Sequence, residues 1–148
     1  MQILVQNLVV STLMVALTVV IHFLGLLGLL FLLRRRGARF RAQESVVGQG
    51  LLIVLTVFGL FAIHAVEIWL YAAFYVAVGA EPDLETALYF STVSFSSLGF
   101  GDVLMPLEWR LVSAIEGVNG LILIGWSTAF LMSLMARLKT LEHDWPEN

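Results

Sequence analysis

Three long apolar runs dominate this 148-residue chain: residues 8–33, 51–78 and 111–136, which are 26, 28 and 26 residues long. A helix needs about 20 mostly apolar residues, each advancing ~1.5 Å, to cross the ~30 Å hydrocarbon core of a bilayer. Every run exceeds that length, so tilt or protruding ends are expected. Composition points the same way. The chain is 59% hydrophobic and 13% charged with a mean hydropathy of +0.93, which leaves too little polar surface to clothe a water-soluble core. High hydrophobicity excludes disorder, and a formal charge of -3 argues against a basic nucleic-acid binder. The lack of cysteine excludes a disulfide-stapled module. The fold expected is all-α and integral to a membrane.

The first run is not a cleaved leader by pattern, because its flanking charge follows it (Arg34, Arg35, Arg36) instead of preceding it. If the three helices alternate in direction, Arg34, Arg35, Arg36, Arg39, Arg41, Arg137 and Lys139 fall on one side, and only Arg110 lies opposite. The positive-inside rule makes that side the cytoplasm and puts the N-terminus outside, in a cell inner (plasma) membrane. The loop RRRGARFRAQESVVG and the tail KTLEHDWPEN are each too short to fold as a regulatory domain, and a basic loop of this kind meets anionic lipid.

Residues 79–107 are too polar to cross, yet they hold the aromatic, hydroxyl-studded run TALYFSTVSFSSLGF. Pro82 suits a loop entering a helix, and Asp83 and Glu85 favour a helix N-terminus. A helix over 84–96 would be roughly 18 Å long, enough to reach mid-membrane and turn back. GFGD then follows, which no helix would choose. Irregular backbone at that depth is tolerated only when buried in protein or lining a water-filled path. Ser97, Leu98, Gly99, Phe100 and Gly101 can present successive carbonyls to such a path, with Gly99 and Gly101 supplying backbone angles that residues with a Cβ resist. The negative end of the preceding helix favours a cation there. One chain offers one strand, so a ring of oxygens requires a symmetric oligomer. Glu81, Asp83, Glu85, Asp102 and Glu108 against Arg110 make an acidic mouth that concentrates cations.

ALYFSTVSFSSLGFGD resembles the pore helix and filter of the potassium-channel pore family, and EWRLVSAIEGVNGLILIGWSTAFL resembles its inner helix. In particular the chain resembles small bacterial members with an extra N-terminal helix. The resemblance implies a homotetramer conducting monovalent cations, with K⁺ ions in the filter as the only bound species and membrane lipid as the surroundings. It implies an N-terminal extra helix (1–33), a basic loop (34–50), a pore module (51–137) and a tail (138–148). Within the module the outer helix would be 51–79, the pore helix 84–96, the filter 97–101 and the inner helix 108–137. Asp102 and Ser96 would support the filter and its mouth, and Gly120 falls at the family's gating hinge. Ser97, Leu98 and Phe100 stand where the family has threonine, valine and tyrosine, and Tyr89 and Phe90 stand where many relatives have two tryptophans. Phe100 keeps an aromatic ring and loses the hydroxyl that could tie the filter to the pore helix. The extra helix is expected to pack outside the outer helix and to add no ion ligand.

Four ionisable residues interrupt the apolar runs: His22, His64, Glu67 and Glu116. Such groups are costly in lipid and face protein or water. His64 and Glu67 are i, i+3 on one helix face. Counting residues from Gly79 and from Glu108 puts Glu67 and Glu116 at depths of roughly 18 and 12 Å, which lets His64, Glu67 and Glu116 meet behind the filter. That cluster reads as a structural hydrogen-bonded group, a proton sensor, or a weak divalent-metal site. His22, alone on the first helix, reads as a packing residue. Asn119 is expected to face a cavity and Ser127 a helix contact. No nucleophile–base pair, phosphate loop or cofactor signature points to catalysis.

Overall fold

The computed structural model describes residues 1–40 and 46–137. Four helices follow in order: α1 (Gln2–Phe40), α2 (Val46–Ala77), α3 (Leu84–Phe95) and α4 (Arg110–Met135). Residues 41–45 and 138–148, which include Arg41, Lys139 and the tail, lie outside the described residues. Among the described residues there is no strand. Three helices are long and apolar enough to span a membrane, over Gln2–Arg35, Val47–Ala77 and Arg110–Met135. α3 has 12 residues and does not.

Three boundaries differ from the apolar pattern by five residues or more, the first being the start of α1 at Gln2, ahead of the apolar run. α1 does not stop where the apolar residues end at Leu33 but continues through Arg34, Arg35 and Arg36 to Phe40. Arginine is a good helix former, so loss of hydrophobicity alone does not end a helix. α2 likewise begins at Val46, so the basic loop expected over 34–50 is largely helical. At the other end of α2 the stop is local and chemical. Gly79 takes φ +69°, and the Ala80 and Gly79 amides bond back to the carbonyls of Tyr75 and Val76 at 2.9 and 3.0 Å.

α1 packs against both α2 and α4, so it lies in the groove between them and not merely outside the outer helix. Its buried residues form one stripe: Asn7, Ser11, Met14, Thr18, His22, Leu26, Leu29 and Leu33. Spacings of three and four residues keep that stripe on one helix face. Two bonds fix its register on α4. The Asn7 amide donates to the Glu108 carbonyl, and Asn119 donates to the Thr18 hydroxyl, both at 2.8 Å and both across 101 residues. An identical offset eleven residues apart, three helical turns, means that α1 and α4 run side by side in the same direction. α2 runs against both.

In lipid, helices gain little by hiding apolar surface from one another, so close packing and interhelical bonds carry association. Away from the filter loop the packing is aliphatic: Leu26, Leu29, Leu33, Leu52 and Leu60 form a cluster joined by Ile63, Phe130 and Leu134. Near the loop a larger cluster gathers Tyr71, Tyr75, Ala87, Phe90, Phe95, Val112 and Leu123 around α3.

Candidate ion-conducting site and its supports

Asp83 starts α3. With extended backbone (φ -151°, ψ 166°), it accepts from the Thr86 amide at 2.8 Å and from the Thr86 hydroxyl at 3.0 Å. Those bonds, the amide first, hold its carboxyl below the usual carboxylate range. Glu85 occupies the first turn, where the helix dipole favours an acid. α3 then enters between α2 and α4 and ends at Phe95, with Ser96 as its C-cap.

The C-terminal end of α3 is clamped to α4 through backbone. The Ser94 hydroxyl donates to the Ser113 carbonyl at 2.9 Å, and the Ser97 hydroxyl reaches the Gly117 carbonyl at 3.3 Å. Gly120 is buried, and α4 runs unbroken through it. A Cβ placed there would lie 2.0 Å from the Phe95 carbonyl oxygen. The glycine assigned by resemblance to a hinge is thus also a point of close backbone approach between α4 and the end of α3.

Past Ser96 the chain changes conformation at every second residue. Ser97, Gly99 and Gly101 take φ of 59°, 59° and 76°, and the intervening Leu98 and Phe100 do not have positive φ. Ser97 is the one non-glycine residue with positive φ among the described residues. Alternating hand along a chain lets successive peptide planes turn to the same side, whereas a regular strand alternates them. The Val93 carbonyl accepts from the Leu98 amide at 3.0 Å, which ties the first filter residues back to α3. All five residues from Ser97 to Gly101 are exposed, with Leu98 at 60% and Phe100 at 65%.

Beyond the filter, the Tyr89 hydroxyl donates to Asp102 Oδ2 at 2.6 Å. This bond holds the Asp102 carboxyl below its usual range. It joins the pore helix to the residue after the filter, the kind of tie that Phe100 cannot make. The sequence left Tyr89 unassigned as a partner because the rest of α3 and the irregular filter segment separate the two groups. Ser96, also expected to support the filter, bonds only into its own helix, at the Thr92 carbonyl, 2.6 Å away. Around the mouth Asp83, Glu85, Asp102, Glu108 and Arg110 are exposed, and Glu81 is buried, which raises its carboxyl above the usual value.

The ionisable residues of the spans do not form one cluster. Glu116 separates from His64 and Glu67 and accepts from Tyr75 at 2.6 Å and Ser91 at 2.5 Å. It thereby joins α2, α3 and α4. The place expected for it is taken by His22, whose Nδ1 lies 2.9 Å from Glu67 Oε1. His64 Nδ1 lies 2.8 Å from Glu67 Oε2, and its Nε2 lies 2.9 Å from the Ser127 hydroxyl. His22 is therefore not an isolated packing residue. Counting depth along each helix was too coarse to set the axial register between α2 and α4. Glu67, Tyr71 and Tyr75 are spaced by four on one face of α2, so Tyr75, two turns nearer the loop, meets Glu116. Asn119 faces no cavity: it is buried, donating to Thr18 and lying 3.4 Å from the Tyr71 hydroxyl. Ser127 makes the helix contact expected of it, with His64 as its partner.

Compared with known families, residues 51–137 match a family described as Ion channel, more than half of the chain. No curated protein and no solved structure matches the chain.

Proposed function

The chain belongs to the ion-channel family, and from that premise we propose that it forms a homotetrameric cation channel conducting potassium. The exposed filter backbone carries the proposal. Five residues of non-helical chain, Ser97 to Gly101, stand uncovered on a single subunit; the Ser97 and Leu98 amides bond back to α3, but among the described residues none of the five carbonyls accepts a hydrogen bond. Lipid does not tolerate unsatisfied backbone at membrane depth, each such group costing several kcal/mol. Symmetric copies around a water-filled axis satisfy it, with carbonyls of each strand replacing the hydration shell of a passing ion. The same closure would cover Leu98 and Phe100 with a neighbouring subunit and give the exposed face of α4 (Val118, Leu121, Ile122, Met132) either a partner or the pore.

Cation preference is supported by two local charges. The C-terminal end of α3, with its partial negative charge, abuts Ser97. Asp83 and Asp102, both held ionised, sit with Glu85 and Glu108 at the mouth, and fourfold symmetry multiplies their field. The flanking arginines support a cytoplasmic C-terminus in the plasma membrane and, with it, a filter mouth on the outer side. The test is cation efflux from liposomes holding the purified protein, K⁺ against Na⁺, beside native mass measurement of the oligomer. K⁺ efflux well above Na⁺, abolished by Gly99→Asp, is the expected result. No flux from an intact tetramer overturns conduction, and equal fluxes overturn potassium selectivity.

A further inference from the structure

The group formed by His22, His64 and Glu67 lies outside the filter residues, with the His64 ring 5.7 Å from that of Phe95 at the end of α3. We propose that it is a binding site for one divalent transition-metal ion of zinc's kind, joining α1 to α2 beside the end of the pore helix. The ligand atoms of the three side chains all lie within 4.8 Å of one another. Two imidazoles and one carboxylate, with a position left open, are a ligand set that zinc takes. Nitrogen ligands of intermediate softness disfavour magnesium and calcium, which want oxygen alone.

Charge and hydrogen bonding supply independent arguments. Glu67 and His22 are fully buried, and residues 2–33, 47–77 and 111–135 contain no lysine or arginine. The Glu67 carboxyl is thus buried with no lysine or arginine in the spans to balance it, and a metal cation among these donors supplies that balance. His22 Nε2 is buried without a hydrogen-bond partner. If His22 serves the carboxylate as an Nδ1–H donor, that Nε2 is left as an orphaned acceptor beside the Trp126 ring, whose centroid is 5.2 Å from that of His22. With a metal on Nδ1, Nε2 carries the proton and is a donor next to an aromatic ring, which can accept it weakly. For His64 the second nitrogen is already held by Ser127, the outer-shell partner that fixes ring orientation in metal sites. His64 keeps 16% of its side chain exposed and provides the way in.

Binding would be read on the full chain in detergent, stripped with a chelator and titrated with Co²⁺ as a coloured stand-in for Zn²⁺. The result expected is one Co²⁺ per chain with visible ligand-field absorption, displaced by Zn²⁺, and a Zn²⁺-dependent rise in melting temperature. His22→Gln should weaken binding at least tenfold. Ser127→Ala, which leaves all three ligands in place, should weaken it by about tenfold. His143→Ala, in the tail, should leave it unchanged. Absence of Co²⁺ absorption and of a Zn²⁺ effect up to millimolar metal overturns the site and leaves a cluster holding a proton. Binding that survives His22→Gln but not His143→Ala also overturns it, by moving the metal to the tail.

Discussion

Gly120→Ala separates two readings of the same residue by sign. If Gly120 were only a flexible point in a helix, alanine would stabilise α4 by roughly 0.5–1 kcal/mol through helix propensity. In the structure the added methyl would sit 2.0 Å from the Phe95 carbonyl oxygen and 2.8 Å from the Phe95 carbonyl carbon. Relief needs a shift of more than about 1 Å, because carbon and oxygen rest at roughly 3.3 Å or more. The obstruction is backbone, so no rotamer change relieves it. α3 must back away from α4, loosening the Ser94 and Ser97 bonds to α4. Overpacking costs about 1–3 kcal/mol, and a backbone clash sits at the top of that range. Setting ~3 kcal/mol against a propensity gain of ~1 leaves a loss near 2 kcal/mol, or a fall of about 4–8 °C in melting temperature for a chain of this length. Gly125→Ala is the internal control, since a Cβ there meets nothing within 4 Å. Tryptophan-fluorescence melting in detergent reads both variants. A Gly120→Ala protein as stable as its parent would refute the packing argument.

Tyr89→Phe keeps the ring and removes the Asp102 bond; the tetramer should assemble while the K⁺ over Na⁺ flux ratio falls, as measured in liposomes. Because that bond lowers the Asp102 pKa, its contribution is full above the ordinary carboxylate value and is lost as pH drops through the lowered one; parent flux should therefore decline on outer-side acidification below about pH 4, and in Tyr89→Phe, where Asp102 loses the bond that lowers it, the decline should begin at higher pH. Glu116→Gln turns one acceptor oxygen toward two hydroxyls into an NH₂ group, and should lower stability by about 1–3 kcal/mol in thermal melts, with Tyr75→Phe adding little further loss on top of it. For Thr18→Ala and Asn119→Ala, a double-mutant cycle should give a coupling of about 0.6–1.7 kcal/mol, the range of interhelical bonds in membranes; zero coupling would mean that the bond does not hold α1.

What the sequence made readable was whatever depends on one segment at a time. Span count follows from run length, the re-entrant segment from a 29-residue gap too polar to cross, and the α3 start from Pro82, Asp83 and Glu85. His64 and Glu67 were recognisable as a pair because i, i+3 geometry is set by the helix itself. Residue relations across helices were not, because they depend on rotation and register that no single run encodes. His22 looked solitary only because its partners lie 42 and 45 residues away, and Glu116 was grouped by depth with residues on the wrong turn. Tyr75, Ser91 and Tyr71 carried a signal that a face-by-face reading would have caught, since Tyr71 and Tyr75 continue the Glu67 stripe.

Taken together, the bonds between side chains of different helices fall into three layers down the bundle from the filter loop. Glu116 with Tyr75 and Ser91 comes first, Asn119 with Thr18 and Tyr71 next, and Glu67 with His22, His64 and Ser127 last. α1 enters two of the three, although the family match begins only at residue 51. The helix outside the matched module is therefore bonded into the part of the module that holds the filter. Below the third layer the contacts of α1 are aliphatic, from Leu26 to Leu33. Hydrogen bonds fix direction and distance, whereas aliphatic packing in lipid exchanges one apolar neighbour for another at small cost. Rigidity is thus concentrated around α3 and the filter, and the last third of α4, beyond Ser127, is where the bundle can rearrange without breaking a hydrogen bond seen between α4 and another helix among the described residues.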